Sequence, residues 1–229
     1  MKTGPRFKIA KRLGASVFEK AQSQKFALSA DRSAKNKKGG RGGRSEYGKQ
    51  MLEKQKVRVT YGVTERQFRN YVRKALEHGK GTPLERLHAL LEMRLDNVIY
   101  RIGLAKTRRA ARQMVAHGHI MVNGKKVRVP SYQVDLKDKV AVREGSRTHM
   151  SFEGFAERFT ERPLASWLMW SPAEMAGGVT QMPTAASAEP AGDLSAVLSS
   201  GACSNTRRPF CIALWLSWQA VRSLSSLPV

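Results

Sequence analysis

TRRAARQMVAHGHIMVNGKKVRV, residues 107–129, is the stretch that decides the fold. Thr107 carries a hydroxyl that can cap a helix, and Gly118 stands where a helix ends, because a residue there commonly adopts the left-handed conformation. Asn123-Gly124 is the strongest short signal for a turn between two strands. The stretch therefore predicts a short helix, a strand, a tight turn and a second strand, and a third strand is predicted at 140–142.

Basic residues crowd this module. Arg108 and Arg112 lie four residues apart on one face of the predicted helix, and the helix has no acidic residue to oppose them. Such a pair repels mildly when no counter-charge is near. We therefore expect an anion across this face rather than an internal ladder of salt bridges.

The positive charge is concentrated in the first two-thirds of the chain. The 229 residues carry a formal net charge of +23. Residues 1–60 hold 17 Lys/Arg against 4 Asp/Glu, residues 61–150 hold 19 against 8, and residues 151–229 hold 5 against 6. Because such repulsion disfavours a compact isolated state, the composition implies a polyanionic partner: nucleic acid, an anionic membrane surface or an acidic protein.

Other classes of protein receive little support. No run of about 20 uncharged apolar residues could span a bilayer, and the charged N-terminus is unlike a signal peptide. Cys203 and Cys211 could form a disulfide, but free thiols in a reducing cytoplasm are the favoured interpretation. Since the Cys and His residues lack the spacing of zinc ligands, we expect no metal and no cofactor.

Residues 1–44 predict a basic arm. Arg6, Lys8, Lys11 and Arg12 alternate with apolar residues and could lie along a phosphate backbone. Towards its end the arm is too rich in glycine and cations to bury a core. That part is interpreted either as a solvated linker or as a segment that orders on contact with RNA.

The pattern becomes helical at Ser45. This residue can cap a helix that turns Tyr47, Met51 and Leu52 inward and its cations, Lys54 among them, outward. We expect the inward side chains to pack on the helices that follow.

A second helix begins at a capping box formed by Thr64 and Gln67. Arg66, Arg69 and Arg73 follow its outer face without matching acids. A solvated face is the usual explanation of such a row. The lack of acids nevertheless favours phosphate contact modestly.

A third helix start is marked by Thr82 as cap, Pro83 in the first turn and Glu85 three residues after the cap. Apolar residues then recur at helical spacing over 84–102 and predict core positions. The pattern fits one helix or two helices joined near 92–94, and both alternatives stay open.

The structural signal weakens after Glu144. Phe152, Phe155 and Phe159 predict one or two further amphipathic turns. From Ser187 the chain is rich in serine and alanine and almost uncharged, and its last apolar run is too short to span a bilayer. This tail either packs on the body or forms an exposed, disordered end.

No catalytic motif stands out. The sequence has no phosphate-binding glycine loop and no nucleophile elbow. Arg94-Leu95-Asp96 is similar to a triplet that carries the catalytic Asp of pseudouridine synthases, but those enzymes need a sizeable separate catalytic domain, for which no residues remain. We therefore expect no enzyme, and interpret Asp96 as a helix-surface acid that orients Arg94 or Arg101.

These residues resemble a known family. Residues 94–143 look like the small RNA-binding domain shared by the bacterial-type small-subunit ribosomal protein S-four, some pseudouridine synthases and tyrosyl-tRNA synthetases. The flanks favour the ribosomal protein, because TGPRFKIAKRLG at 3–14, YGVTERQF at 61–68 and RLDNV at 94–98 resemble its signatures in the same order. The resemblance covers residues 3–184.

The patterns and the resemblance predict an α+β fold, with a mostly helical N-terminal domain followed by a small helix-helix-three-strand RNA-binding domain. We divide the chain accordingly into a basic arm (1–44), a helical domain (45–93), the RNA-binding domain (94–150), a helical or irregular segment (151–186) and an atypical low-charge tail (187–229).

The resemblance implies a structural constituent of the small ribosomal subunit, located in the cytoplasm within the ribosome. Such a protein binds rRNA directly, nucleates assembly of the subunit body, contacts the neighbouring protein S-five and contributes to translational accuracy. Some members also repress their own mRNA, which makes that mRNA a second expected partner. The alternative is a free-standing RNA-binding chaperone or an mRNA-binding translational repressor.

The residues expected to face RNA come from two sources. Charge alone suggests those of the arm, the second helix and Lys126, and the resemblance implies the others. The full set is Arg6, Lys8, Lys11, Arg12, Arg66, Arg69, Arg73, Arg94, Arg101, Lys106, Thr107, Arg108, Arg112, Gln113, His117, His119, Asn123, Lys125 and Lys126.

The sequence departs from the family pattern in two places. Residues 36–43 stand where many members have a Pro-Gly-His-Gly-like turn and some have a metal-binding cysteine cluster. The family usually ends in a short apolar strand and a basic terminus, and residues 187–229 have neither. A frameshifted or otherwise replaced end would explain the sudden loss of charge. Such a replacement would affect the interface with S-five more than any other function of the family.

Overall fold

Helices precede a small sheet along the chain. The computed structural model describes residues 4–14, 17–35, 45–77, 81–149, 152, 155, 159 and 164–184. The expectations for the glycine-rich loop at 36–43 and for the tail at 187–229 lie outside these residues. The described residues include seven α-helices and an antiparallel sheet, which confirms the α+β fold class.

The N-terminal basic segment builds a small helical layer. Helix α1 spans Arg6–Leu13 and helix α2 spans Gln24–Lys35, with a 3₁₀ turn at Glu19–Gln22 between them. Its buried side chains form a cluster of their own with Val59 of the next helix: Ala10, Val17, Phe18, Ala21 and Phe26. The expected arm is therefore partly folded, because apolar residues that alternate with its cations are used for packing.

Three helices with well-defined starts form the helical domain. They are α3 (Glu46–Thr60), α4 (Glu65–Glu77) and α5 (Pro83–Glu92). The predicted N-terminal caps are confirmed at each of them by hydrogen bonds of Ser45, Thr64 and Thr82. The core of this domain consists mainly of Val57, Tyr61, Val63, Phe68, Val72, Ala75, Leu87 and Leu91.

Helix α3 packs through a different face from the one expected. Tyr47 is 61% exposed, whereas Lys54, Val57 and Val59 are buried. Val57 packs in the core of the helical domain, whereas Val59, on the opposite side of the helix, packs in the N-terminal cluster, so α3 lies between two apolar clusters. Lys54 can be buried there because its ammonium donates to Glu65 at 2.7 Å.

The apolar pattern over 84–102 belongs to two helices, not one, and a further helix leads into the sheet. Helix α5 ends at Glu92, α6 spans Leu95–Ile102, and α7 spans Arg108–His117. The hydroxyl of Thr107 accepts from the amide of Ala110 at 3.1 Å, which confirms the predicted cap of α7.

The sheet contains the predicted hairpin. Strands β1 (Ile120–Val122), β2 (Lys125–Lys126) and β3 (Lys139–Val142) are antiparallel neighbours. Asn123 and Gly124 have φ values of 50° and 77°. Both are left-handed, as a two-residue hairpin turn of type I′ requires.

The sheet is larger than expected. Strands β4 (Leu168–Ser171) and β5 (Ala176–Val179) extend it in the order β2-β1-β3-β5-β4. The three strands expected within 94–150 are present, and the expectation of a helical or irregular segment at 151–186 is corrected by the two strands at 168–179. Strand propensity did not predict β5, because its sequence Ala-Gly-Gly-Val has few β-branched or aromatic residues. Its glycines instead permit close approach of the neighbouring strands.

The main core lies around α6, α7 and the sheet, and the aromatic residues after β3 complete it. Phe152, Phe155, Trp167 and Trp170 are all buried in this cluster. The rings of Phe155 and Trp170 meet edge to face, with centroids 6.3 Å apart. The additional hairpin is thus packed into the same core as α6. We refer to α6, α7 and β1–β5 as the sheet domain.

Gly177 tests whether β5 belongs to this core. A Cβ atom at position 177 would lie 2.8 Å from Cα of Trp170. Gly177→Ala should force β4 and β5 apart and lower the free energy of unfolding by about 1–3 kcal/mol, as overpacked sites do. Gly145→Ala is the matched control, since nothing surrounds that position within 4 Å. Urea denaturation measures both variants, and equal stabilities would show that β5 does not pack as described.

Candidate nucleic-acid interface

Glu92, at the end of α5, is the first of two buried carboxylates at the junction of the domains. It is 1% exposed. It accepts hydrogen bonds from the hydroxyl of Tyr61 at 2.6 Å, from Nδ2 of Asn97 at 2.8 Å and from Nε of Arg101 at 2.9 Å. Because Tyr61 follows α3 whereas Asn97 and Arg101 lie on α6, this carboxylate joins the helical domain to the sheet domain.

Asp96, on α6, is the second. It accepts from Nη2 of Arg94 at 2.8 Å and from Nη2 of Arg112 at 2.7 Å. Arg112 also donates to the backbone carbonyls of Gly62 at 2.6 Å and of Tyr61 at 3.2 Å. The guanidinium of α7 therefore connects the sheet domain to the loop between α3 and α4.

Two expectations about these charges are corrected. Asp96 is buried rather than on a helix surface, and it orients Arg94 and Arg112, whereas Arg101 is paired with Glu92. The anion that we expected across Arg108 and Arg112 is, for Arg112, this carboxylate. Sequence spacing within α7 could not reveal it because it belongs to another helix.

Arg108 is also engaged inside the protein. Its Nε donates to Oδ1 of Asn97 at 2.9 Å. Its guanidinium carbon lies 4.3 Å from the ring centroid of Tyr100 and 5.2 Å from that of Tyr61. This arrangement favours a cation–π interaction with both rings, so Arg108 contributes to the same junction.

Arg94 and Arg101 are positioned for structure rather than for contact with RNA. Arg94 is 2% exposed, and its Nη1 donates to the hydroxyl of Tyr71 at 2.7 Å in addition to its bonds with Asp96. Arg101 is nearly buried and bidentate on Glu92. We therefore replace the expectation that they face RNA with a role in fixing the junction.

The electrostatics of Glu92 follow from these contacts. Burial by itself would raise the pKa of the carboxyl, but the hydrogen bonds and charge of Arg101, aided by the Tyr61 hydroxyl, lower its pKa to about 2. Burial and the charge of Glu92 raise the pKa of Tyr61 well above its ordinary value. Burial lowers the pKa of His88, so its 3.9 Å approach to Glu92 is not an ion pair at neutral pH.

Two further residues of the expected RNA-facing set have structural partners. Thr107 caps α7, as described above. Asn123 is exposed, yet its side chain donates to Asp138 at 2.7 Å and accepts from the amide of Lys139 at 2.8 Å. These bonds hold the β1–β2 turn against the start of β3.

The remaining residues of the expected set are exposed, apart from His119, which is half-buried and lies 3.0 Å from the hydroxyl of Ser146. The exposed members are Arg6, Lys8, Lys11, Arg12, Arg66, Arg69, Arg73, Lys106, Gln113, His117, Lys125 and Lys126. The expected set leaves out further exposed cations, for which net charge was the only signal, among them Arg109, Arg128, Arg143 and Arg147.

Positive charges crowd one another beside the β1–β2 hairpin. The charge of Arg128, followed by desolvation and the charge of Arg143, lowers the pKa of the exposed Lys126. A pKa lowered by neighbouring cations indicates an electropositive surface that an anion would stabilise. We name Lys126, Arg128 and Arg143 the hairpin patch.

Within the described ranges, no helix is both long enough and apolar enough to cross a bilayer. The same residues contain no group of three His, Cys, Asp or Glu side chains that could hold a metal ion.

A helical domain joined to a helix-and-hairpin domain, with exposed cations on both, defines an RNA-binding protein of the S4-domain class. Residues 93–140 match the S4 domain, and residues 1–92 match the ribosomal protein S4/S9 N-terminal domain. The chain belongs to the family of small ribosomal subunit protein uS4, the S-four family of the sequence resemblance.

Individual relatives agree with this assignment. The chain is 44% identical to small ribosomal subunit protein uS4 of Dichelobacter nodosus over 185 residues, which cover 79% of this chain and 88% of the relative. It is 44% identical to the uS4 protein of Roseiflexus castenholzii over 193 residues, with coverage of 82% and 91%. The uS4 protein of Hahella chejuensis is 43% identical over 182 residues.

Arg112→Ala tests the junction. The variant leaves the buried carboxylate of Asp96 with one guanidinium and removes the bonds to Gly62 and Tyr61. Loss of a partner from a fully buried pair costs about 3–5 kcal/mol. Because Arg112 is 31% exposed, we expect a smaller loss, about 2–3 kcal/mol. Arg109→Ala, an exposed arginine of the same helix, is the control and should change stability by less than about 0.5 kcal/mol. Similar losses for the two variants in urea denaturation would contradict the proposed junction.

Glu92 gives a dependence of stability on pH. Its folded-state pKa of about 2 lies below the ordinary value of 4.5, so folding stabilises the charged form. The contribution is complete above about pH 4.5 and is lost as the pH falls towards 2. Since one pKa unit corresponds to about 1.4 kcal/mol, Glu92→Gln should lower the unfolding free energy at pH 7 by about 3 kcal/mol.

The difference between the wild type and Glu92→Gln should shrink as the pH falls below about 4.5, because the protonated wild-type side chain resembles glutamine. Denaturation at several pH values measures this difference. Glu46→Gln is the control, since Glu46 makes only an exposed pair with Lys49. A difference for Glu92→Gln that stays constant down to about pH 3 would exclude the depressed pKa.

Proposed function

We propose that the chain is a structural constituent of the small ribosomal subunit that binds rRNA directly, within the cytoplasmic ribosome. One observation carries this proposal. After the junction arginines are paired inside the protein, exposed cations remain on α1, α4, α7 and the β1–β2 hairpin. In a chain of the uS4 family, the polyanion that such a surface fits best is the rRNA of the subunit.

The junction supports a role in nucleating assembly of the subunit body. Glu92, Asp96 and their partners fix the sheet domain on the helical domain before any RNA is bound. The exposed cations of both domains are therefore preorganised, and less conformational entropy is lost on binding. A protein with a preformed surface is suited to bind rRNA early and to hold its helices in place.

Further partners follow from family membership. We propose contact with the neighbouring protein S-five, and through it a contribution to translational accuracy. The chain's own mRNA is proposed as a second RNA ligand, because the electrostatic part of RNA binding is not specific for sequence.

A catalytic role for Asp96 is not part of the proposal. Its two carboxylate oxygens accept from Arg94 and Arg112 and are buried with them. This supports a positioning role for the carboxylate.

Salt dependence tests the proposed RNA contact. Each phosphate contact that is removed should reduce the slope of log K against log salt concentration by about 0.7–0.9. Lys125→Ala combined with Lys126→Ala should therefore weaken binding to small-subunit rRNA and make the slope shallower by about 1.4–1.8, without a change in thermal stability. Filter binding at several salt concentrations measures both quantities.

Lys137→Ala combined with Lys139→Ala is the charge-matched control, because both lysines are exposed and lie beside Asp138. A slope that is the same in the double variant and the control would exclude the hairpin as a contact. Sedimentation of a cell lysate separates the ribosomal function from a free-standing chaperone or repressor. We expect the chain to travel with the small subunit, and its recovery in the ribosome-free fraction would overturn the proposal.

A further inference from the structure

Four aromatic rings come together after α7, and we name them the histidine patch: His117, His119, His149 and Phe152. The ring of His119 lies at the centre, with centroid distances of 6.1 Å to His117, 5.0 Å to His149 and 6.2 Å to Phe152. His117 and His149 are exposed, His119 is half-buried and Phe152 is buried. The patch is thus an aromatic surface with a fixed base and an exposed rim.

The position of the inner ring is set by its surroundings. Nδ1 of His119 lies 3.0 Å from the hydroxyl of Ser146, which is buried. The ring of Phe152 meets that of His119 edge to face, with an interplanar angle of 82°. A ring held in this way offers a preorganised aromatic surface, because little rotamer freedom remains to be lost on binding.

Cations of the hairpin patch border these rings. Burial lowers the pKa of His119, and the charges of His149, His117, Lys126 and Arg143 lower it further. The lowered pKa favours the neutral form of the His119 ring at neutral pH. Gly118 contributes to this arrangement, since a Cβ atom there would overlap the Lys126 side chain and lie 3.1 Å from its Nζ.

We propose that the histidine patch binds one unpaired RNA base by stacking, and that the hairpin patch binds the phosphates next to that base. This inference rests on the proposed rRNA binding and names the kind of nucleotide that one part of the surface takes. Aromatic rings bordered by cations are the arrangement by which proteins hold single-stranded nucleic acid.

The geometry favours an unpaired base over a helix. Bases of an RNA duplex are stacked inside it, and a protein meets only their edges, the hydroxyls and the phosphates. A bulged or looped base, in contrast, exposes its face. The central ring is tilted by 37° from His117 and by 43° from His149. Because the rings are not parallel, a flat base can stack on one exposed ring at a time, which fits a site for a single nucleotide.

Substitutions of His149 separate stacking from charge. The full chain is titrated with single-stranded hexa-adenylate that carries 2-aminopurine at an inner position, whose fluorescence is quenched when the base stacks. His149→Ala should weaken binding about 5- to 10-fold, the low end of the range for one stacked base, and reduce the quenching. His149→Phe keeps a ring and should stay within about twofold of the wild type.

His149→Lys keeps positive charge without a ring and should bind as weakly as His149→Ala. The stacking site is overturned if His149→Lys restores binding while His149→Phe does not, since the contact is then electrostatic. It is also overturned if all three variants bind and quench like the wild type. Because His149 is exposed, none of these variants should unfold the chain, and circular dichroism checks this.

The outcome is distinguishable from a failure of the proposed function. Sedimentation with the small subunit and the salt dependence of rRNA binding both depend on many cations outside the histidine patch. If these persist while the quenching is unaffected by His149→Ala, only the stacking site is excluded. If the chain does not bind small-subunit rRNA in the first place, the proposed function itself fails.

Discussion

The pairing of two buried carboxylates with arginines from the second domain is the interaction on which the rest of the structure depends. A buried charge is expensive unless it is paired and hydrogen-bonded. The donors of Glu92 come from both sides of the domain junction. Asp96 accepts from Arg112 inside the sheet domain, and Arg112 crosses the junction to the backbone carbonyls of Gly62 and Tyr61. A different orientation of the domains would separate Glu92 from Arg101 and Arg112 from the two carbonyls, so the network specifies one orientation in addition to any stability that it provides.

This network divides the arginines into two groups with different tasks. Arg94, Arg101 and Arg112 neutralise carboxylates inside the protein, and Arg108 packs on tyrosine rings beside them. Other lysines and arginines, on α1, α4 and the hairpin, are exposed and accessible to an external anion. The chain therefore holds its exposed charges on a scaffold that is itself built from charged groups, and in the proposed function RNA neutralises the net charge of +23.

Local features of the fold were predictable from the sequence, because their causes are local. The cap at Thr107 and the left-handed turn at Asn123-Gly124 depend on neighbouring residues only, and both are confirmed. The partners of Arg112 were not predictable, since Asp96 and the Gly62 carbonyl come from other segments. Strand β5 was not predicted for a related reason. Its glycine at 177 is required by close packing against Trp170 of β4, and this requirement cannot be read from the residues of β5 alone. For the candidate interface, the charge pattern predicted which segments carry exposed cations. Which arginines can contact an external anion depends on burial, and burial could not be read from the sequence.

The most direct test of the network is a cryo-electron-microscopy map of the small subunit that contains this chain, at a resolution that shows side chains. The account predicts that Arg112 lies within hydrogen-bond distance of Asp96 and of the Gly62 carbonyl, while Lys125 and Lys126 approach rRNA phosphates. A map in which Arg112 binds a phosphate and Asp96 has lost its guanidinium partners would contradict the account.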